Sequence, residues 1–459
     1  MDQMTRRTHS MNAIRFTAVL LSALWCFPVG SALAWDDWTY ISLDTNHGKA
    51  RYGIAVGDVD GDGSVDVVSG KYCYLNPGAD PAGKWQRSTM PVDGNPVAVL
   101  DLDGDEGHDV VTIADDGVYV LQRAASSWTS TKVLSHGNGM CHACAQGYAV
   151  ENIDGRGHPE IVVNLNGVTC YRMPSDPLES EWEAVRLSTD ACVGIALGDV
   201  DGDGDLDVVT GKSGAWWLEN PGSVSSGWSR HAVGEASVLD RVAAADMDGD
   251  ERCDVVVAEE GDGRMLIYRN NDEGVEWEQH EIAKVGFGYL SMHCADFDSD
   301  GDRDIVTGES TDEKKIEVWE NKGGLSFVPH HINAENNTQT HIGCVPFDMD
   351  NDGDLDLVNH SYTESDHVFI WRNDRQSEVA LRRESPVGDG HVREEVSKKG
   401  RGCVFGGGVL PAYHEPDEIH LFGLTGRRIR FGTDMKGERR SGHARAVMML
   451  IVETSNRNQ

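Results

Sequence analysis

Three features are scarce in this 459-residue sequence. After the N-terminal segment there is no run of 18 or more apolar residues, which excludes a spanning helix from that part of the chain. Positive charge is short, with 40 Lys and Arg against 76 Asp and Glu; the net charge of −36 repels nucleic acid and anionic lipid and argues against both as partners. Catalytic signatures are missing too: G-x-S-x-G, H-E-x-x-H and the Walker motif do not occur. What the chain has in plenty is glycine, 52 residues, and carboxylate. Together they indicate many tight turns, and hence an all-β repeat rather than helices.

The N-terminus stands apart. Arg6, Arg7 and Arg15 precede an apolar stretch from Phe16 to Gly30, and Ala32-Leu33-Ala34 forms an A-x-A site. Residues 1–34 therefore read as a signal peptide cleaved after Ala34, which places the mature protein outside the cell, where calcium is plentiful and disulfides persist. The negative charge is concentrated downstream. Residues 35–374 carry 64 Asp and Glu against 22 Lys and Arg, whereas residues 375–459 carry 11 against 15.

One pattern recurs seven times between those limits. Its clearest copies are Gly57-Asp-Val-Asp-Gly-Asp-Gly-Ser-Val-Asp66 and Gly198-Asp-Val-Asp-Gly-Asp-Gly-Asp-Leu-Asp207. First positions fall at Asp58, Asp101, Asn152, Asp199, Asp246, Asp296 and Asp348, 43 to 52 residues apart, the length of one four-stranded propeller blade. A strand of small residues enters each loop and an apolar strand leaves it. A third strand ends in Trp-x-x-Asn or a variant (Trp217 to Asn220, Trp319 to Asn321, Trp371 to Asn373), and a fourth begins near an aromatic (Trp228, Trp277, Phe327). The last repeat lacks a fourth strand, and Trp38-Thr-Tyr-Ile41 is a fourth strand without its first three. The expectation is an all-β, seven-bladed propeller over residues 35–374, closed by its N-terminal strand so that no sheet edge is exposed.

The loops have the composition of calcium sites. Carboxylates at positions 1, 3, 5 and 9 are Asp58, Asp60, Asp62 and Asp66 in the first, and Asp101, Asp103, Asp105 and Asp109 in the second. They continue as Asp199, Asp201, Asp203 and Asp207 in the fourth, and as Asp246, Asp248, Asp250 and Asp254 in the fifth. The sixth has Asp296, Asp298, Asp300 and Asp304, and the seventh Asp348, Asp350, Asp352 and Asp356. Alternate residues of a tight turn point inward, calcium takes six to eight oxygens, and carboxylates packed this closely repel one another without a cation. About six structural Ca²⁺ sites follow. The third loop departs: Asn152, Asp154, Arg156 and Glu160 put a cation at position 5. There Arg156 is expected to pair with Asp154 and Glu160 and to substitute for metal.

These repeats resemble FG-GAP/VCBS repeats, found in integrin α-chain propellers and in many secreted bacterial proteins, over about residues 38–374. The resemblance implies a calcium-bearing propeller with adhesion or carbohydrate-related roles, and a fold of this kind hosts more than one activity. The leading functional expectation is an extracellular binding or adhesion module for a glycan or protein.

A ligand site is expected on the face opposite the loops. The residue five beyond loop position 9 reads Lys71, Ala114, Leu165, Lys212, Glu259, Glu309 and Ser361 around the ring. Arg51, Tyr289, His293, His341 and His360 lie near the same mouth. The alternative function is a carbohydrate lyase or dehydratase with a metal-assisted site there, built from His293, His341, His360 and neighbouring carboxylates. His231, His280 and His330 recur at one fourth-strand position and read as structural.

Nine cysteines remain after Cys26 of the signal segment. Cys141 and Cys144 form a C-x-x-C pair, Cys170 and Cys192 are candidates for a bridge, and Cys294 and Cys344 read as buried small residues. Residues 375–459 read as a linker and tail, with a hairpin centred on Thr425-Gly426.

Overall fold

The computed structural model describes Trp35, residues 37–48, 53–105, 107–136, 147–225, 227–284, 288–309, 315–332, 337, 340–361 and 367–375, and two short strands at 421–422 and 428–429. The signal segment, Arg51, and the Cys141/Cys144 pair lie outside these residues, and of His341 only its place in a strand is described.

The repeat pattern folds as its periodicity requires. Seven antiparallel sheets of four strands are present, and in six of them the strands follow chain order. Blade one is Ile54–Gly57, Asp66–Ser69, Tyr72–Leu75 and Gln86–Thr89. Blade five is Leu239–Ala245, Asp254–Glu259, Arg264–Asp272 and Glu276–Lys284. Blade six is Tyr289–Ala295, Asp304–Glu309, Ile316–Asn321 and Phe327–Ile332.

Blade seven is the exception in order. Its Thr340–Phe347, Asp356–Ser361 and Val368–Asn373 are completed by Trp38–Asp44, which pairs antiparallel with Trp38 opposite Asn373 and Tyr40 opposite Trp371. The first described strand thus closes the ring, and the edge of blade seven's third strand is covered. Ile41, Ile54, Val67 and Tyr74 pack with Val345, Val358 and Ile370 in one buried cluster, which joins the last blade to the first.

The core lies between blades. Each sheet buries one face on either neighbour: Val111, Val120, Tyr148, Ile161 and Val163 join blades two and three, and Val209, Trp217, Val242, Val255 and Leu266 join four and five. Inner strands are small because they converge. A Cβ on Gly57 would come within 2.6 Å of Val99, and one on Gly198 within 2.5 Å of the Cys253 sulfur. In antiparallel sheets, the loops joining strands one to two and three to four emerge on one face. Loops joining two to three, and one blade to the next, emerge on the other.

Among the described residues no helix is long and apolar enough to cross a membrane. No disulfide joins Cys170 to Cys192: both are buried thiols in one apolar cluster, packed among Val162, Val168 and Ile195. Cys294 and Cys344 are buried at 1% and 0% exposure, as their small-residue context indicates. In the tail, Leu421–Phe422 pairs with Arg428–Ile429.

Candidate metal loops and the opposite face

Positions 4 and 6 of the loops carry left-handed backbone, which is why glycine recurs there. Gly61 and Gly63 have φ of 72° and 87°, and Gly202 and Gly204 have 74° and 99°. Where a side chain replaces glycine the same conformation holds, as at Ser299 (60°) and Asn351 (59°). Turning the chain twice in three residues aims positions 1, 3 and 5 at a common point. Carboxylate oxygens lie within 4.8 Å of one another in the triads Asp58/Asp60/Asp62, Asp101/Asp103/Asp105, Asp199/Asp201/Asp203, Asp246/Asp248/Asp250 and Asp296/Asp298/Asp300. Each of these clusters could hold a metal ion.

The electrostatics agree. Burial, and then the charge of Asp62, raises the pKa of Asp60. In the same way burial and Asp300 push Asp298 up to about 7, and burial and Asp352 push Asp350 up to about 6. Buried carboxylate oxygens of Asp60, Asp199 and Asp350 have no hydrogen-bond partner, and neither does Asp154 Oδ1 of the third loop, although Arg172 pairs with that residue's other oxygen. A hard, oxygen-preferring ion fits this donor set.

Position 9 also acts as a strut. In loop one, Asp66 is fully buried; its Oδ2 accepts the Val59 N–H at 2.9 Å and its Oδ1 the Asn76 N–H at 2.8 Å. Asp207, Asp254, Asp304 and Asp356 repeat both bonds, with Asn220, Asn270, Asn321 and Asn373 as the second donors. Asp109 keeps the first, accepting the Leu102 N–H at 3.2 Å. These carboxylates tie the floor of the loop to strand three. Burial raises their pKa, to about 8 for Asp66, Asp207 and Asp304 and to about 7 for Asp109 and Asp254.

The asparagines were visible in the sequence only as strand ends. In the fold four of them reach the preceding blade: Asn76 Nδ2 donates to Met349 O, Asn220 to Ile153 O, Asn270 to Val200 O and Asn321 to Met247 O, at 2.8 to 3.0 Å, whereas Asn373 donates to Leu355 O of its own loop at 3.3 Å. In those four the acceptor is the backbone of loop position 2. One side chain therefore latches its own loop to its neighbour's.

Blade three corrects one expectation. Arg156 is exposed, and its contact with the loop is a backbone N–H donated to Asn152. Arg172, at the end of strand three, pairs instead with Asp154 at 3.1 Å and with Glu183 at 3.0 Å. Arg172 reaches Asp154 because strand three runs beneath the loop.

On the opposite face the aligned residues divide. Ala114 and Leu165 are buried apolar positions, Lys212 is exposed, and Lys71 lies 5.6 Å over the Tyr72 ring. Glu259 is buried, held by Arg264 Nε and Nη2 at 2.6 and 2.8 Å and by the Ser237 N–H at 2.8 Å. Glu309 is buried opposite Tyr289 in the sheet register. Two lysines and two carboxylates thus do not share one wet surface. Arg241 is a residue that the sequence pattern missed. It takes the inner-strand place of Gly53, Gly147, Gly194 and Gly343, is 7% exposed, and pairs with Asp240 at 2.5 Å.

Burial, and secondly the charge of Arg241, lower the pKa of His293 to about 3, while the Gly343 backbone is its other neighbour. His360 faces His47 instead, ring centroids 4.3 Å apart, and its pKa is likewise depressed by burial. The two imidazoles have different surroundings, and a metal at His293 would meet a guanidinium.

The FG-GAP-like repeat family model matches residues 152–210, 246–307 and 296–359. These segments span the loops of blades three to seven, in the register described above. The chain carries FG-GAP-like repeats, and its fold is a seven-bladed β-propeller. Two solved structures of BBS1N in complex with ARL6DN, one soaked with mercury and one with lead, align with the chain at 13% identity. Each covers 74% of this chain and 98% of its own, with TM-scores of 0.50 and 0.49. The Tc holotoxin pore of Photorhabdus luminescens aligns at 14% identity and TM-score 0.37, over 75% of this chain and 15% of its own. No curated protein matches the chain.

Elsewhere in the propeller two of the three recurrent fourth-strand histidines are held by stacking and hydrogen bonds. His231 stacks on Trp217 at 4.5 Å and bonds Glu219 at 2.8 Å; His330 stacks on Trp35 at 4.4 Å and bonds Glu320 at 2.7 Å.

Proposed function

We propose that this FG-GAP propeller is a secreted, calcium-loaded binding or adhesion module that recognises a glycan or protein on the face opposite its aspartate loops. The metal half of the reading is supported by the triads and their partnerless oxygens. Asp58, Asp60 and Asp62, and the matching triads of loops two, four and six, would hold Ca²⁺, which supplies the positive charge that these carboxylates lack. The chain's own contribution is the double left-handed turn and the buried position-9 strut, which hold the donors in place before an ion arrives.

The observation that carries the recognition half lies in blades five to seven. There Arg241 stands where four blades have glycine, and His293 where five blades have alanine. Tyr289 Oη, Ser291 Oγ, His293 Nδ1 and Thr340 Oγ1 are buried without a hydrogen-bond partner. Buried polar atoms are normally satisfied, and a polar ligand or bound water would satisfy these. Hydroxyl-rich ligands suit such a set of donors and acceptors.

A glycan array probed with the full-length mature chain, in calcium and in chelator, tests both halves. Binding that weakens in chelator and is lost in Tyr289→Phe/Thr340→Val is expected. Retention of full binding by that variant removes the assigned face.

A further inference from the structure

We propose that Arg269 is the built-in counter-cation of the fifth loop, which is therefore closed by the chain itself and takes no metal ion, although its carboxylate set is complete. The inference rests on the calcium reading of the other loops.

One position on strand three, the residue before the latch asparagine or its equivalent, varies from blade to blade. Around the ring it is Leu75, Gln122, Arg172, Glu219, Arg269, Glu320 and Arg372. This position lies beneath its own blade's loop. Gln122 donates to Asp103 at 2.7 Å, and Arg172 to Asp154 at 3.1 Å. Glu320 shares a hydrogen bond with Asp298, so blade six adds a carboxylate to its loop. The same fold position therefore supplies an apolar, neutral, acidic or basic neighbour to otherwise similar loops.

Blade five has the most complete basic version. Arg269 Nε bonds Asp248 Oδ2, and its Nη2 bonds Asp250 Oδ2 at 3.1 Å, so one guanidinium spans positions 3 and 5. A second guanidinium, that of Arg252 at loop position 7, also pairs with Asp250, and its Nε is anchored on the Asn270 carbonyl at 2.7 Å. An entering Ca²⁺ would need the same oxygens and would stand against two groups that never lose their charge. Basic residues near loops one and seven stop short: Arg123 is 3.7 Å from Asp60 and Arg372 is 4.0 Å from Asp350. In those two loops a buried carboxylate oxygen is left without a partner. No carboxylate oxygen of Asp246, Asp248 or Asp250 is among the buried partnerless atoms of the described residues; the same holds for the second and sixth triads, so what sets loop five apart is its pair of arginine contacts.

Hydrogen exchange read by mass spectrometry on the full-length mature protein, in chelator and in calcium, decides the matter. In wild type, 246–254 should exchange roughly tenfold more slowly in chelator than 58–66, 199–207 and 296–304, and calcium should slow those three loops while leaving 246–254 unchanged. In Arg269→Gln, 246–254 should lose about tenfold protection in chelator and become calcium-responsive, with one extra calcium by titration calorimetry. Arg269→Lys, which keeps the charge, should stay calcium-insensitive. Wild-type 246–254 slowing with calcium like the others overturns the proposal, and this arm needs no variant. Should no loop respond to calcium, the calcium reading falls. The chelator arm then decides the arginine by itself: protection lost in Arg269→Gln upholds it, and unchanged protection overturns it.

Discussion

Asn321 Nδ2 donates to the backbone carbonyl of Met247, 74 residues earlier and one blade away, at 2.8 Å. It also reaches its own loop at Arg303 O, 3.1 Å, while its backbone N–H holds Asp304. One residue thereby ties together a loop, the strand below it and the neighbouring blade. Asn321→Ala should leave two largely buried carbonyls unsatisfied and cost about 1–3 kcal/mol, read as a lower urea midpoint at unchanged slope. A variant as stable as wild type would show that the latch is incidental.

Metal removal should act on pH dependence in a defined direction. Asp66, Asp207 and Asp304 have folded-state pKa values raised to about 8, mainly by burial. The unfolded value is about 3.9. A raised pKa means that the native state binds more protons than the unfolded state between those limits. Each group's contribution is present below about pH 4 and is lost as pH rises through about 8. In chelator the melting temperature should therefore fall from pH 5 to pH 8. Calcium should restore it, with protons released on binding. A chelated protein equally stable at both pH values would contradict this.

His293 should act with the opposite sign. Its folded pKa is lowered to about 3 by burial and by Arg241. The unfolded imidazole titrates near 6.5. Stability from the neutral ring is present above about pH 6.5 and is lost as pH falls toward 3, on the order of 2–4 kcal/mol. His293→Gln should flatten the acid limb of a stability–pH curve, and an unchanged limb would assign the loss to other groups.

Ring closure depends on a strand distant in sequence. Tyr40 packs on Trp371 at 5.3 Å, and Ile41 lies in the cluster shared by blades seven and one. Removing residues 35–44 should bare the edge of Val368–Asn373. The expected result is a lower melting temperature together with self-association in size-exclusion chromatography. A monodisperse monomer of full stability would show that the closing strand is dispensable.

Repeat number, blade boundaries, the closing role of Trp38 to Ile41 and the carboxylate spacing were all legible in the sequence. Each is a local pattern, set by the two-residue period of a strand, the glycines of a left-handed turn, or a tandem period near 48 residues. What surrounds those carboxylates was not legible. Arg172 rather than Arg156 meets Asp154, and Arg269 meets Asp248 across 21 residues, because strand three passes under the loop only once the sheet has formed. Likewise Asn321 finds Met247, and Arg241 faces His293, only when neighbouring blades stack. Periodicity specifies which way a side chain points within its own sheet. Stacking of one sheet on the next decides which charge it meets there, and that determines how each of seven similar loops behaves.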